Sequence, residues 1–128
     1  MEDIHFNVFK LTDVIVGYVV WRKKPEISHL HSFLISADFQ RFGLGTKMLN
    51  EYQNTSRTHI PDLGLFTLHT YESTEYNHKF YKNAGYSRYE MGDEKRFPLL
   101  NDWIDNCYQH GDWPLTHNKV LFYKSNLN

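Results

Sequence analysis

Two glycines two apart, Gly43 and Gly45, stand in the stretch QRFGLG (40–45), where a strand-like pattern gives way to a helix-like one. The N–H groups that begin a helix have no intrahelical partner and carry a positive partial charge. Glycine tolerates positive φ and lets backbone approach a ligand closely. Together they make a cradle for an anion, above all a phosphate, and Arg41 and Lys47 add positive charge nearby. No Lys-Ser/Thr follows the second glycine as in a P-loop, and the third glycine of a dinucleotide fingerprint is missing. Taken alone, the spacing suits an ordinary strand-to-helix turn equally well. Upstream, HLH carries His29 and His31. The two-residue repeat of a strand would place both on one face, about 6.6 Å apart along the chain. An imidazole, with a reference pKa of about 6.5, is suited to taking a proton near neutrality. The ordinary alternative is a pair of half-buried strand histidines, and a metal set completed by Cys107 and His110 is a further one.

These residues need elements to position them. HFNVFKL (5–11) and VIVGYVVWRKK (14–24) are rich in β-branched and aromatic residues and joined by a short Thr-Asp turn, which predicts an antiparallel hairpin. A third strand covers 27–36. Leu44, Met48 and Tyr52, with Leu49 beside them, form the apolar stripe of a helix over about 43–54. Residues 54–64 read as loop and 63–71 as strand. Ser73 or Thr74 caps a helix in which Tyr76, Phe80 and Ala84 share a face and which Gly85 stops. A short strand (86–91) follows. Pro98 sits where a helix begins, and Leu100, Trp103, Ile104, Cys107 and Tyr108 give that helix an apolar stripe ended by Gly111. The last strand covers 119–125. The order β, β, β, α, β, α, β, α, β predicts an α/β fold, of α+β type with a mixed sheet. The strands 27–36 and 63–71 are expected as parallel neighbours across a right-handed crossover. No repeat or linker divides the 128 residues, so a single domain is expected.

Composition excludes several classes. Fourteen basic against 15 acidic residues leave a net charge of −1, which argues against a binder driven by phosphate neutralisation along nucleic acid. The lone Cys107 precludes an internal disulfide and suits a reducing compartment. The opening MEDIHFNVFK lacks a signal-peptide core, and no apolar run nears the roughly 18 residues that span a bilayer. The expectation is a cytoplasmic protein.

The segment Gln40-Arg41-Phe42-Gly43-Leu44-Gly45 resembles the Q/R-x-x-G-x-G/A motif of the GNAT superfamily of acyl-CoA-dependent N-acetyltransferases. KFYKNAGY (79–86) resembles that superfamily's second motif, an aromatic-Tyr pair followed by Gly-Tyr, matched by Phe80-Tyr81 and Gly85-Tyr86. The resemblance covers roughly residues 5–91. It implies a GNAT-like fold with helices on both faces and splayed central parallel strands, and acetyl-CoA as co-substrate. The pyrophosphate would lie on the N–H groups of residues 41–46, including Leu44, Gly45 and Thr46. The pantetheine arm would pair with the strand around Phe33, Leu34 and Ile35, and Thr74 would lie beside the cofactor. HLHSFLISADFQRFGLG (29–45) is similar to a segment of arylalkylamine N-acetyltransferases whose His-x-His accepts protons. By that likeness His29 and His31 would free an amine for attack, Tyr81 would protonate the leaving thiolate, and N–H groups near Leu34 would polarise the thioester carbonyl. His69, on the other splayed strand, is a lesser candidate. No metal is expected.

Two positions depart from the family pattern: Thr74 stands where Asn is usual, and Asn77 where a small Ala is. The chain opens almost at the family's second strand, which leaves little room for the usual first strand and the two acceptor-covering helices. The expected activity is direct transfer of acetyl from acetyl-CoA to a primary amine in a ternary complex. A homodimer completing the site is compatible with the chain, and Trp113-Pro114-Leu115 would be core or dimer contact. The alternatives are a non-catalytic acyl-CoA-binding or sensor module and a protein-interaction subunit of the same fold.

Overall fold

β-branched and aromatic residues make up half of the first 24 positions, which form two long antiparallel strands, β1 (Asp3–Leu11) and β2 (Val14–Lys24). The computed structural model describes residues 3–40, 43–109 and 119–126, with backbone alone at 106–109. Among these, no helix is long and apolar enough to cross a membrane. Two compact units are present, Met1–Leu63 and Gly64–Asn128.

In the first unit β2 also pairs antiparallel with β3 (Ile27–Ile35), so three strands form a meander. Helix α1 (Leu44–His59) lies on one of its faces. Met48, Leu49 and Tyr52 are buried, as the apolar stripe predicts. The helix runs five residues beyond the expected loop boundary at 54, because Gln53 and Ser56 are buried too. Ser28 Oγ on β3 meets Tyr52 Oη at 2.7 Å and Ser56 Oγ at 2.8 Å, a satisfied polar cluster that ties the helix to the strand. Trp21, fully buried, stacks on His5 at 4.3 Å and meets Tyr52 edge-on. Gly17 faces Met48, near the start of α1. A Cβ there would collide with the Leu34 carbonyl and lie 2.7 Å from Met48 Cε. Gly17→Ala should therefore destabilise by about 1–3 kcal/mol, the usual cost of overpacking, read as a lower melting temperature.

The other face of β1 carries Ile4, Phe6 and Val8, 56%, 61% and 47% exposed. This inverts the usual polar-out pattern of an antiparallel sheet. The Phe6 ring covers itself in part by stacking on Tyr18 at 5.2 Å.

In the second unit β4 (Leu65–Tyr71) pairs antiparallel with β6 (Lys119–Ser125), and β6 pairs in turn with β5 (Ser87–Arg88). Helices α2 (Glu75–Asn83) and α3 (Pro98–Gln109) complete it. Leu100, Trp103 and Ile104 are buried, as the stripe of α3 predicts; the side chains of Cys107 and Tyr108, and all of Gly111 and Trp113-Pro114-Leu115, lie outside the described residues. The strand expected over 86–91 shrinks to two residues because the chain turns again at Gly92. Asp93 anchors that turn. Burial works against its carboxylate, but hydrogen bonds from the Glu90 N–H, the Tyr123 hydroxyl and Arg96 prevail and hold its pKa below the usual range. The Tyr123 phenol is correspondingly pushed up to about 12, first by burial and then by Asp93.

Candidate active site

The strand that carries the histidines does not alternate regularly. Trp21 stands opposite Leu30 and Val20 opposite Ser32, so His31 is an extra residue with no opposite number in β2. This is a β-bulge, a device that re-aims side chains and recurs near active sites. The simple two-residue repeat expected to align His29 and His31 is interrupted there. His29, paired with Arg22, is 6% exposed. It points away from α1, since its neighbour Ser28 bonds to that helix. His31 is exposed. The two imidazoles are therefore not equivalent.

Downstream, Phe33, Leu34 and Ile35 end β3, opposite Val19, Tyr18 and Gly17. Leu34 is exposed and the other two half-buried. A short 3-10 turn, Ala37–Phe39, follows. Its entry is held by the Ser36 N–H donating to Val16 O at 2.8 Å. The Gln40 amide donates back to Ile35 O at 3.1 Å, so this motif residue closes the turn. Arg41 and Phe42 lie outside the described residues.

Gly43 is the N-cap of α1, in the left-handed region at φ 73°. A side chain there would pay strain, which is the local reason for glycine. Among the described residues, no side chain caps the helix, and a Cβ built on Gly43 would meet nothing within 4 Å. The N–H groups of Leu44, Gly45 and Thr46 open the helix with no side-chain cap among the described residues, and no acidic residue sits in the first turn. That arrangement suits an anion.

Tyr81 is the buried residue of α2. Of the face expected from Tyr76, Phe80 and Ala84, the last two are half-buried while Tyr76 is 74% exposed. Asn77 donates to Thr70 Oγ1, His78 Nε2 lies 2.9 Å from Tyr71 O, and the His78 ring meets Phe122 edge-on. Asn77, the departure from the family's small residue, is thereby used to hold α2 on β4. Thr74 is the N-cap, half-buried, with no side-chain cap bond.

The end of α2 explains the Gly-Tyr pair. Gly85 adopts φ 95°, its N–H donates to Lys82 O, and the Tyr86 N–H donates to Tyr81 O, both at 3.0 Å. This is a Schellman termination. Its customary apolar contact is here the Tyr86 ring against the Tyr81 ring, centroids 5.6 Å apart. Phe80 and Phe122 flank the same phenol. Burial pushes the Tyr81 pKa up to about 12, so it stays a neutral donor across the physiological range. In the sequence Tyr86 matches only as part of a motif; the ring contact gives it a task. His69, the lesser candidate, is half-buried with its ring 6.3 Å from that of Trp103 on α3. Cys107 and His110 lie outside the described side chains.

Solved structures share this fold. The PaiA N-acetyltransferase of Thermoplasma acidophilum, in complex with coenzyme A, superposes with a TM-score of 0.70 at 10% identity, over 96% of this chain and 61% of that one. Ard1 from Thermoplasma volcanium gives 0.68 at 18% identity, over 96% and 71%. A Bacillus anthracis acetyltransferase holding acetyl coenzyme A gives 0.65 at 14%, over 94% and 61%. The chain thus spans about three fifths of the length of the first. Likeness at such identities shows the fold alone, and no curated protein matches by sequence. The model of the acetyltransferase (GNAT) family matches residues 1–86, well over half of the 128, and the chain belongs to that family.

Proposed function

We propose that this protein transfers acetyl from acetyl-CoA to a primary amine by direct attack, in a cytoplasmic setting where its single cysteine stays reduced. The observation that carries the reading is the start of α1: a left-handed Gly43 and, among the described residues, no side-chain cap and nothing within 4 Å of a Cβ built there. There the diphosphate of the co-substrate takes the place of a cap. Family membership, and neighbours solved with coenzyme A or acetyl coenzyme A, support the same ligand. Gln40, Arg41 and Phe42 are assigned to the diphosphate by the motif they share with Gly43 and Gly45, and Phe33, Leu34, Ile35 and Thr74 to the remainder of the ligand.

An alkylamine is protonated at pH 7 and must lose a proton before it can attack. His31, exposed at the bulge, is assigned as the acceptor, directly or through water, with the buried His29 as its neighbour in the strand. The amine nitrogen then bonds to the thioester carbon, the carbon–sulfur bond breaks, and the thiolate takes a proton from the neutral Tyr81 phenol. No covalent enzyme intermediate is needed.

Thiol release from acetyl-CoA against tryptamine, spermidine and lysine is the test. Transfer to an amine is expected; coenzyme A binding without transfer to any of them would leave the sensor module of the same fold. His31→Gln should lower turnover on the best amine about a hundredfold while acetyl-CoA affinity holds. His29→Gln should act chiefly on stability. A double variant with wild-type turnover removes the base from the scheme.

A further inference from the structure

Tyr81 lies in the last turn of α2, where the helix's carbonyls run out of intrahelical partners. The Schellman bonds satisfy Tyr81 O and Lys82 O. The carbonyl of the C-cap residue, Ala84 O, is met from another element: Lys124 Nζ, forty positions on in β6, donates to it at 3.1 Å. The stem of Lys124 also fills the space beside Gly85, where a Cβ would lie 3.3 Å from Lys124 Cε. β6 itself is firmly placed, with Lys124 opposite Phe66 of β4 and its neighbour Tyr123 opposite Ser87 of β5. A cation at a helix C-terminus is favoured by the helix dipole as well as by the hydrogen bond.

We propose that Lys124 is a positioning residue for Tyr81: by holding the Ala84 carbonyl and packing under Gly85, it fixes the turn from which the phenol projects. This rests on the acid role of Tyr81 proposed above. No motif reveals Lys124, because its partner is forty residues away and its own surroundings, FYKS, look like an ordinary strand end. The ammonium is the active part. Methionine would keep the packing stem and lose the bond; arginine would restore a charged donor.

The experiment compares Lys124→Met, Lys124→Arg, Tyr81→Phe and Lys124→Met/Tyr81→Phe, each checked for folding by thermal melt. The substrate is acetyl-CoA with whichever amine of the panel turns over fastest, and coenzyme A affinity is read by calorimetry. Lys124→Met should lower kcat roughly tenfold, the scale expected of a small misplacement, with coenzyme A affinity within twofold. Lys124→Arg should recover most of that loss. The double variant should be no slower than Tyr81→Phe alone, because the lysine acts through the phenol. Wild-type kcat in Lys124→Met beside a slow Tyr81→Phe overturns this inference alone. The same holds if Lys124→Met slows the Tyr81→Phe protein by its full factor. Wild-type kcat in Tyr81→Phe overturns the parent reading, and this one with it.

Discussion

Tyr81→Phe should reduce turnover about a hundredfold, near 2.7 kcal/mol of barrier, and leave acetyl-CoA affinity almost unchanged. The ring would remain against Tyr86, Phe80 and Phe122, so packing changes little. Only the proposed proton donor is lost, and in that proposal it is used as the thiolate departs rather than when the ligand binds. An equal loss in affinity and rate would make the phenol a binding group; an unchanged rate would make it part of the core. The pH dependence follows from burial. With its pKa pushed up to about 12, the phenol keeps its proton far into the alkaline range. The kcat profile should therefore show no alkaline fall from Tyr81 below about pH 11, and any earlier fall belongs to another group. Stability has the same sign. The folded pKa lies above the unfolded one, so this group's contribution is whole below about pH 10 and is lost as pH rises toward 12. Thermal melts in wild type and Tyr81→Phe should diverge only in that window.

Gly43→Glu should abolish measurable coenzyme A binding in calorimetry while the melting temperature moves by only a few degrees. The glutamate would bring a Cβ that meets nothing among the described residues within 4 Å. It would pay about 1–2 kcal/mol for a left-handed conformation, offset in part because a carboxylate at a helix start meets the positive end of the dipole. That same carboxylate would occupy the N–H groups proposed for the diphosphate and repel it. Gly43→Ala separates the effects: it carries the strain without the charge, and should retain binding. A Gly43→Glu protein that still binds coenzyme A would remove the diphosphate from the start of α1.

The succession of strands and helices is legible because each leaves a local signature: alternating β-branched runs, the Leu44–Tyr52 stripe, Pro98 at a helix start. Features that depend on distant partners are not. Residues 54–59, NTSRTH, look like loop, yet they stay helical because Ser56 is buried against Ser28 on β3. Thr55 and Thr58 reach back to Glu51 O and Asn54 O, using hydroxyls that would otherwise favour a turn. The covered face of α2 is set by Asn77 and His78 gripping β4, which a search for apolar periodicity passes over. For the candidate site, the glycines and Tyr81 are visible from spacing and family likeness. The irregularity at His31 is invisible, because it arises from how β2 and β3 are matched along eight pairs and not from any feature of HLH.

That mismatch sets the proposed proton acceptor apart from the ladder at a single position. Excising His31 outright would leave Leu30 across from Trp21 and Ser32 across from Val20 as ordinary successive rungs, so the ladder would be mended rather than thrown out of step. A shortened relative of this chain can therefore shed the imidazole proposed to take the proton and keep its architecture, which gives evolution a one-codon route from the proposed enzyme to a silent binder.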